Sequence, residues 1–280
     1  MSSLTLYNEV TAQSSKSTTL LYSSSFSSAI GLLDKSLHQS IYDIYGFVRF
    51  ADEIVDTFHE YDKATLLATF KADTYAALDN GISLNPILHR FQLTYNQFNI
   101  DRALLDAFLY SMEMDLSQQS HDQASYNQYI FGSAEVVGLM CLKIFCNGND
   151  AQYETLKPAA QSLGAAFQKV NFLRDIKADF VGMERMYFPN CDFSNFSLSD
   201  KQQIEADIQA DFDAALDGIK ALPLPCRFGV YVAFKYYYAL FNKIKQTNHT
   251  ALLSTRIRIP DYGKLFIVFK AKIRASLNLL

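Results

Sequence analysis

The sequence predicts an all-α protein, because helical periodicity dominates the chain and helix-breaking residues are scarce. The 280 residues include only 11 glycines and 6 prolines, and these lie between the periodic segments. No segment alternates apolar and polar residues as a half-buried strand does, and no strand–helix rhythm appears. We therefore expect one all-α domain over residues 1–280.

Apolar spacing and end signals place the helices in order along the chain. Asn80-Gly81 predicts the end of the second helix, and Asp101 the N-cap of the third. Pro158 fits the first turn of the fifth helix, which a loop at 181–199 follows. The predicted helices span residues 36–58, 63–79, 101–117, 126–146, 157–180, 199–220, 229–245 and, at the end of the chain, 264–280.

Three segments of the sequence bear on whether the protein contacts a membrane. Residues 1–16 are polar and rich in Ser and Thr, lack signal-peptide features, and are expected to be poorly ordered or peripheral. No apolar run is long enough to span a bilayer, and the strongest, 228–241, is interrupted by Lys235. Residues 264–280 mix basic and apolar residues and could rest on a membrane, although a packed helix is favoured. We expect a water-soluble, cytoplasmic protein, with peripheral contact at the inner face of the membrane left open.

Composition excludes several functions. The formal charge of −4 and the absence of long basic runs argue against nucleic-acid binding. No nucleotide-binding motif or nucleophile elbow is present, and the five histidines show no metal-ligand spacing. The four cysteines form no CxxC pair, which predicts reduced, mostly buried thiols.

Two acidic motifs carry the functional signal. Asp52 and Asp56 are four residues apart, as are Asp175 and Asp179, so each pair shares one helix face. A single such pair is common on solvated faces, but two copies in apolar surroundings are hard to explain in that way. Crowded carboxylates need cations, and Mg²⁺ binds carboxylate and phosphate oxygens together. The spacing therefore predicts a metal clamp for a diphosphate.

Polar neighbours extend both motifs along their helix faces. Arg49 lies one turn and Tyr45 two turns before Asp52 on the same helix face, and a guanidinium can bind phosphate directly. Gln168 and Asn171 continue the second motif along an otherwise apolar helix, where polar groups are costly unless paired or liganded. The run 236–238 of three tyrosines is typical of core packing, but in a cavity it could stabilise a carbocation.

Several ordered motifs resemble one known family. They are YSSSFS at 22–27, YDIYGFVRFADEIVD at 42–56, GSAEVVG at 132–138, LGAAFQKVNFLRDIKAD at 163–179 and RMYFP at 185–189. The chain resembles the squalene/phytoene synthase family of head-to-head prenyl diphosphate synthases. The resemblance implies an all-α isoprenoid-synthase bundle around a central hydrophobic cavity. It also implies two prenyl diphosphate substrates, held by Mg²⁺ or alternatively Mn²⁺ on the four aspartates.

Residue roles follow from the same resemblance. It implies that Ser25 and Arg49 contact one diphosphate and that Gln168 and Asn171 act beside the second acidic motif. Tyr237 and Arg256 are further expected contacts, although by sequence alone Arg256 is an ordinary solvated charge. The aspartates Asp52, Asp56, Asp175 and Asp179, together with Arg49, are the expected catalytic groups.

The chain departs from the family at two positions. Phe131 stands where a tyrosine is frequent, which questions any hydrogen bond from that site. Glu135 replaces a frequent glycine and puts a carboxyl group into an apolar helix, where Lys143 or Arg174 is the expected partner.

The resemblance leaves the product open. Phytoene synthases join two C20 units without a reductant, whereas squalene synthases join two C15 units and use NADPH. Because no nucleotide motif is present, we favour phytoene synthesis as a first step of carotenoid biosynthesis and expect no NADPH. The alternatives are a C30 squalene or dehydrosqualene synthase and a non-catalytic assembly or scaffold protein. A monomer or weak homodimer is expected.

Overall fold

The protein is all-α throughout the part described by its computed structural model, which is residues 2–118, 120–176, 186–189, 191 and 196–276. Within these ranges no strand forms, and one isolated β-bridge joins Ser120 to Met186. The predicted fold class is confirmed. The predicted helix end at 177–180 and most of the 181–199 loop lie outside the described residues.

The described residues form thirteen α-helices and one π-helical turn. The helices are α1 (Ser3–Tyr22), α2 (Ser24–Ile30), α3 (Lys35–Asp56), α4 (Lys63–Asn80), α5 (Pro86–Gln97), α6 (Arg102–Ser117), α7 (Gln123–Ile130), α8 (Val136–Cys146), α9 (Asp150–Ile176), α10 (Leu198–Ala221), α11 (Leu224–Gln246), α12 (His249–Leu252) and α13 (Asp261–Ser276). The short helices α2 and α12 and the helix α5 were not predicted from the sequence.

Helices α3 and α9 organise the bundle. Helix α3 packs mainly on α1, α4, α5, α6 and α8, whereas α9 packs mainly on α8, α10 and α11. Both helices border one large cavity, so their cavity faces lie opposite each other. The side chains of α3 that face away from the cavity, such as Phe47 and Ala51, are completely buried in the core.

The amino-terminal segment corrects the prediction for residues 1–16. It belongs to α1, which packs on α3 and α5 and buries Thr11, Ser15 and Thr19. These small residues recur every four positions and form a thin stripe, which allows close helix packing. The Thr19 hydroxyl donates to the Ser15 carbonyl at 3.1 Å, so burial leaves that hydroxyl hydrogen-bonded.

The predicted helix 126–146 is interrupted by a π-helical turn at Phe131–Glu135 between α7 and α8. A Cβ atom at Gly132 would lie 2.5 Å from the Ala107 carbonyl, and one at Gly164 would lie 2.7 Å from the Ala134 carbonyl. Only glycine permits both approaches, which bring α6 and α9 against the turn. Inserted turns of this kind are frequent at functional sites, because they re-aim side chains.

The stretch Gln123–Cys146 also corrects the expectation about membranes. Within the described residues, it is the one helical stretch long and apolar enough to cross a bilayer by length and composition. Half of that apolar window is buried inside the protein, and α8 packs on α3, α6 and α9. Its hydrophobicity is therefore explained by its place in the core.

Pro158 lies inside α9 instead of in its first turn, because the helix begins seven residues earlier than predicted, at Asp150. Proline removes one backbone hydrogen bond, here to the carbonyl of Glu154. Both Pro158 and Glu154 are exposed, so water can satisfy that carbonyl. The helix continues because the broken bond lies on its solvent side.

Asp43 links α3 to α5 through a fully buried carboxylate. It accepts hydrogen bonds from Arg90 Nη2 at 2.9 Å, Thr94 Oγ1 at 2.8 Å and Gln39 Nε2 at 2.8 Å. An amide at this position would keep one acceptor oxygen but lose the negative charge, which would leave the partly buried Arg90 without its ion-pair partner.

We expect Asp43→Asn to lower the free energy of unfolding by about 3–5 kcal/mol, because breaking a buried ion pair leaves one charge uncompensated. Urea denaturation followed by circular dichroism measures the change. Asp73→Asn, at an exposed position of α4, is the matched control and should change stability by less than about 0.5 kcal/mol. Equal effects of the two substitutions would contradict the prediction.

Candidate active site

A cavity of about 1130 Å³ lies between α3 and α9. Helices α2, α8, α10 and α11 supply most of the remaining wall, together with the segment 256–260 that precedes α13, and α1, α6, α7 and the π-helical turn add a few residues each. One end is lined by carboxylates and arginines, and the rest of the wall is mostly aliphatic and aromatic. The predicted cavity is therefore present, and its polar groups are concentrated at one end.

The first acidic motif reaches the cavity as predicted. Tyr45, Arg49, Asp52 and Asp56 share one face of α3, and all four line the cavity. The Tyr45 ring lies 5.9 Å from the Phe26 ring, and burial raises the pKa of its hydroxyl. Ser25 also lines the cavity, near the start of α2.

The pKa of Asp52 is strongly raised. Burial, followed by repulsion from Asp56, raises the pKa of Asp52 from 3.8 to about 8, and Arg49 opposes the shift. The carboxylate of Asp115 adds a smaller repulsion. The arginine alone does not compensate this concentration of negative charge, which a bound cation would stabilise.

Arg49 is turned along its own helix in this structure. Its Nη2 donates to Glu53, and its guanidinium carbon lies 4.5 Å from the centre of the Tyr22 ring. Its Nε is buried and has no hydrogen-bond partner. A buried donor at a cavity wall is costly unless a ligand supplies an acceptor.

The second acidic motif also reaches the cavity, as far as the described residues extend. Gln168, Asn171 and Asp175 line it from α9, whereas Asp179 lies outside the described residues. Asn171 Nδ2 lies 3.5 Å from Gln168 Oε1, and Asn171 Oδ1 is buried without a partner. Like Arg49 Nε, this oxygen is an unsatisfied polar atom of a cavity-lining residue.

Asp175 is held by two arginines. Arg174 Nη2 donates to its carboxylate at 2.5 Å, and Arg256 Nε lies 2.8 Å away. Arg256 therefore meets the second motif across 81 positions of sequence, and it also lines the cavity. Arg174 was not predicted as a site residue, although it lines the cavity. These guanidinium groups compensate the negative charge of the carboxylate.

The three consecutive tyrosines of α11 divide between two environments. Tyr236 and Tyr237 line the cavity, whereas Tyr238 packs with Phe212 and Phe234 in the core. Tyr237 stacks on Phe167 with ring centres 3.9 Å apart. Burial raises the pKa of Tyr237, against the opposing effect of Arg174, so its hydroxyl stays protonated.

Sequence reasoning missed a further cavity-lining carboxylate, Asp115, near the end of α6. It lines the cavity and accepts hydrogen bonds from Tyr129 at 2.8 Å and Tyr187 at 3.3 Å. Burial, then the charge of Asp115, raises the pKa of Tyr129 well above its usual value. A lone aspartate near a helix end carries no spacing signal, and Tyr187 lay in the RMYFP motif with no role assigned to it.

The two departures from the family pattern lie outside the cavity lining. Phe131 packs against the core, and Tyr129, two residues earlier, lines the cavity. Glu135 accepts a hydrogen bond from Gln161 Nε2 at 2.9 Å, which corrects the expected pairing with Lys143 or Arg174. Lys143 instead forms ion pairs with Asp101, which precedes α6, and with Asp150, the first residue of α9.

The donor set fits a metal that arrives together with a diphosphate. Among the described residues, no three His, Cys, Asp or Glu side chains form a ready metal site. Mg²⁺ is usually bound by one or two carboxylates, waters and substrate phosphates, so a complete protein cage is not needed. The raised pKa of Asp52 and the unsatisfied atoms of Arg49 and Asn171 are consistent with a site that is completed by a charged ligand.

Comparison with known proteins agrees with this geometry. The sequence profile described as squalene/phytoene synthase matches residues 21–262. The chain belongs to the squalene/phytoene synthase family. This is a family of prenyltransferases that join prenyl diphosphates head to head.

Relatives within the squalene/phytoene synthase family differ in their named products. A presqualene diphosphate synthase from Rhodopseudomonas palustris is 30% identical over 169 residues, which are 60% of this chain and 58% of that relative. A phytoene synthase from Arthrospira platensis is 24% identical over 297 residues, covering 96% of this chain and 92% of the relative. The crystal structure of a dehydrosqualene synthase matches with a TM-score of 0.83 at 18% identity, over 96% of this chain and 98% of that one. The isoprenoid-synthase fold is thereby confirmed.

Glu135 gives a pH prediction, because burial raises the pKa of this carboxyl above 4.5 despite the Gln161 hydrogen bond. The folded protein holds this proton more tightly than the unfolded chain, so its contribution to stability is lost as the pH rises above about 4.5. We expect Glu135→Gln to raise the melting temperature relative to wild type at pH 8 more than at pH 5. Thermal unfolding at both pH values measures this.

The matched control for that prediction is Glu9→Gln, at an exposed position of α1. It should shift the melting temperature by the same small amount at both pH values. A Glu135→Gln effect that does not depend on pH would show that the carboxyl is ionised in the folded protein at both values.

Proposed function

We propose that this protein joins two molecules of geranylgeranyl diphosphate head to head and forms phytoene through a cyclopropylcarbinyl diphosphate. One observation carries the proposal: a single cavity of about 1130 Å³ has a charged end and a long apolar wall. Pockets for one drug-sized ligand measure about 300–1,000 Å³, so this cavity has room for two prenyl chains. The charged end suits diphosphates, and the apolar wall suits hydrocarbon.

The aspartates and arginines would share the diphosphates. Asp52 and Asp56 on α3 and Asp175 on α9 would hold Mg²⁺ or Mn²⁺, with Asp179 as a further ligand. When bound, the metal would neutralise charge on the leaving diphosphate. Arg174 and Arg256 can exchange the Asp175 carboxylate for phosphate oxygens, which would free that carboxylate for the metal.

The cavity wall would protect the allylic cation that forms when diphosphate leaves. Phe26, Tyr45, Phe167 and Tyr237 place aromatic rings beside the charged end. Ring faces attract cations, and a water-excluding wall prevents their hydrolysis. The double bond of the second substrate can then attack the cation.

Proton removal requires an acceptor, because forming phytoene from two such substrates releases two diphosphates and two protons. The Tyr129 hydroxyl lies on the cavity wall and donates to Asp115. A proton that reaches the phenol oxygen can pass along this hydrogen bond to the carboxylate. We therefore assign Asp115 and Tyr129 as the protein groups that accept a proton, alongside the released diphosphate.

The reach of the cavity supports a C20 substrate over a C15 one. From Asp175 to Leu156, which both line the cavity, α9 advances about 28 Å at about 1.5 Å per residue. The wall at the far end includes Ala159, Ala160 and Gly218, and close contact between Gly218 and Ala159 there brings α10 against α9. The relatives named presqualene diphosphate synthase make a C30 product the alternative that the assay must test.

The direct test is incubation of the purified protein with Mg²⁺ and either geranylgeranyl or farnesyl diphosphate, with and without NADPH. We expect phytoene and diphosphate from the C20 substrate, without any requirement for NADPH. A C30 product from farnesyl diphosphate alone would overturn the substrate assignment but not the enzyme class. Failure to release diphosphate from either substrate would favour the non-catalytic scaffold.

The clamp predicts that Asp52→Asn and Asp175→Asn each lower kcat by at least about 100-fold, because each removes charge that balances the cation on the diphosphate. Steady-state diphosphate release measures the loss, and rising Mg²⁺ should restore part of it. Asp73→Asn, far from the cavity lining, is the control and should leave kcat unchanged. Normal kcat in both site variants would contradict the clamp.

The chain-length argument predicts that Ala160→Phe lowers turnover of geranylgeranyl diphosphate more than turnover of farnesyl diphosphate, by about tenfold, because the larger ring shortens the cavity. Competition between the two substrates, followed by product chromatography, measures the ratio. Ala151→Phe on the exposed side of α9 is the matched control and should leave the ratio unchanged. A change in the same direction from the control would implicate general destabilisation.

A further inference from the structure

Helix α13 carries a stripe of exposed apolar side chains on its outer face. At about 100° per residue, its members fall within one arc about 100° wide on the helix surface. The side chains of Tyr262 and Leu265 are 78% and 72% exposed, and Phe269 is 61% exposed. The stripe consists of Tyr262, Leu265, Phe266, Phe269 and Ile273.

The opposite face of α13 is already packed. Ile267 and Val268 contact the core, Ala271 is buried, and the helix packs on α11. Arg274 Nη1 lies 3.3 Å from the Tyr231 hydroxyl of that helix. The helix is thus held in place by its inner face, and the apolar side chains of its outer face stay exposed.

Basic side chains border the stripe on both sides. Lys270 and Lys272 each lie about 80° from its centre, and both are exposed. Lys270 Nζ lies 4.5 Å from the centre of the Phe266 ring, so it extends along the apolar surface. The sequence of α13 contains four basic residues and one acidic residue, whereas the whole chain has a net charge of −4. Apolar stripes bordered by lysine are typical of helices that lie in the surface of an anionic bilayer.

The stripe begins beside the mouth of the cavity. Lys264 Nζ donates to Ser24 Oγ at 2.9 Å, and both residues line the cavity. The end of α1 reaches the same place, where Leu21 is 85% exposed and the half-exposed Tyr22 also lines the cavity. The end of α1 and the start of α13 therefore both lie near this rim.

We propose that the protein docks on anionic lipid bilayers through this surface, which we define as the stripe of α13 together with Leu20, Leu21 and Tyr22. Charge decides between a bilayer and a second copy of the chain. The basic border suits an anionic lipid surface, whereas two copies meeting through this face would bring like charges together. The proposal concerns binding, and its test does not depend on the proposed reaction.

The test uses full-length protein and sedimentation with two kinds of vesicle, phosphatidylcholine alone and phosphatidylcholine with phosphatidylglycerol. We expect at least tenfold stronger binding to the anionic vesicles, weakening as salt rises above about 0.1 M. Phe266→Ser combined with Phe269→Ser should lower binding at least tenfold, and so should Lys270→Glu combined with Lys272→Glu. Both pairs lie outside the cavity lining, so diphosphate release from detergent-dispersed substrate should be unchanged.

The matched control is Leu84→Ser, which removes a 93% exposed leucine elsewhere on the surface. It should bind vesicles as the wild type does, and thermal unfolding should show every variant folded. No binding of the wild type to anionic vesicles would overturn the proposal, as would equal loss in the control. A wild-type dimer that Phe266→Ser with Phe269→Ser converts to a monomer, with no vesicle binding in either form, would assign the surface to a second copy instead.

Discussion

The structure depends on carboxyl groups that are crowded together at one end of an apolar cavity. Asp52 and Asp56 lie on one face of α3, and burial and mutual repulsion raise the pKa of Asp52 to about 8. On the opposite helix, Asp175 is stabilised by Arg174 and Arg256. The two walls therefore differ: on α3 two carboxyl groups are so crowded that Asp52 holds its proton near neutral pH, whereas on α9 the carboxylate is paired with arginines. A diphosphate with divalent cations carries both signs and can satisfy both walls together.

That arrangement requires helices to approach closely on one side and to stay apart on the other. Gly132 and Gly164 let α6 and α9 contact the π-helical turn, since a side chain at either position would collide with a backbone carbonyl. Close packing there contrasts with the open space between α3 and α9. Asp43 secures the outer face of α3 to α5, which keeps the cavity face of α3 available for the substrate.

Local sequence patterns succeeded where one helix face decides the outcome. The predicted residues of α3 and the described ones of α9 reach the cavity, because helical periodicity puts those of each helix on one side. They are Tyr45, Arg49, Asp52, Asp56, Gln168, Asn171 and Asp175. The predictions were wrong where packing against other helices determines whether a segment folds or which partner a side chain takes. The polar start of the chain became α1 because its small hydroxyl side chains pack and bond to their own backbone, and Glu135 paired with Gln161 instead of a cation.

The sequence by itself determined the all-α class, the two acidic helix faces and the family, since these depend on spacing along one helix or on ordered motifs. Only the tertiary structure decided that Arg256 meets Asp175, that Asp115 joins the site through Tyr129, and that α13 turns an apolar stripe outward. The physical reason is the same in each case. These contacts join distant segments, and burial or exposure of a side chain is set by which helices surround it, which no local pattern encodes.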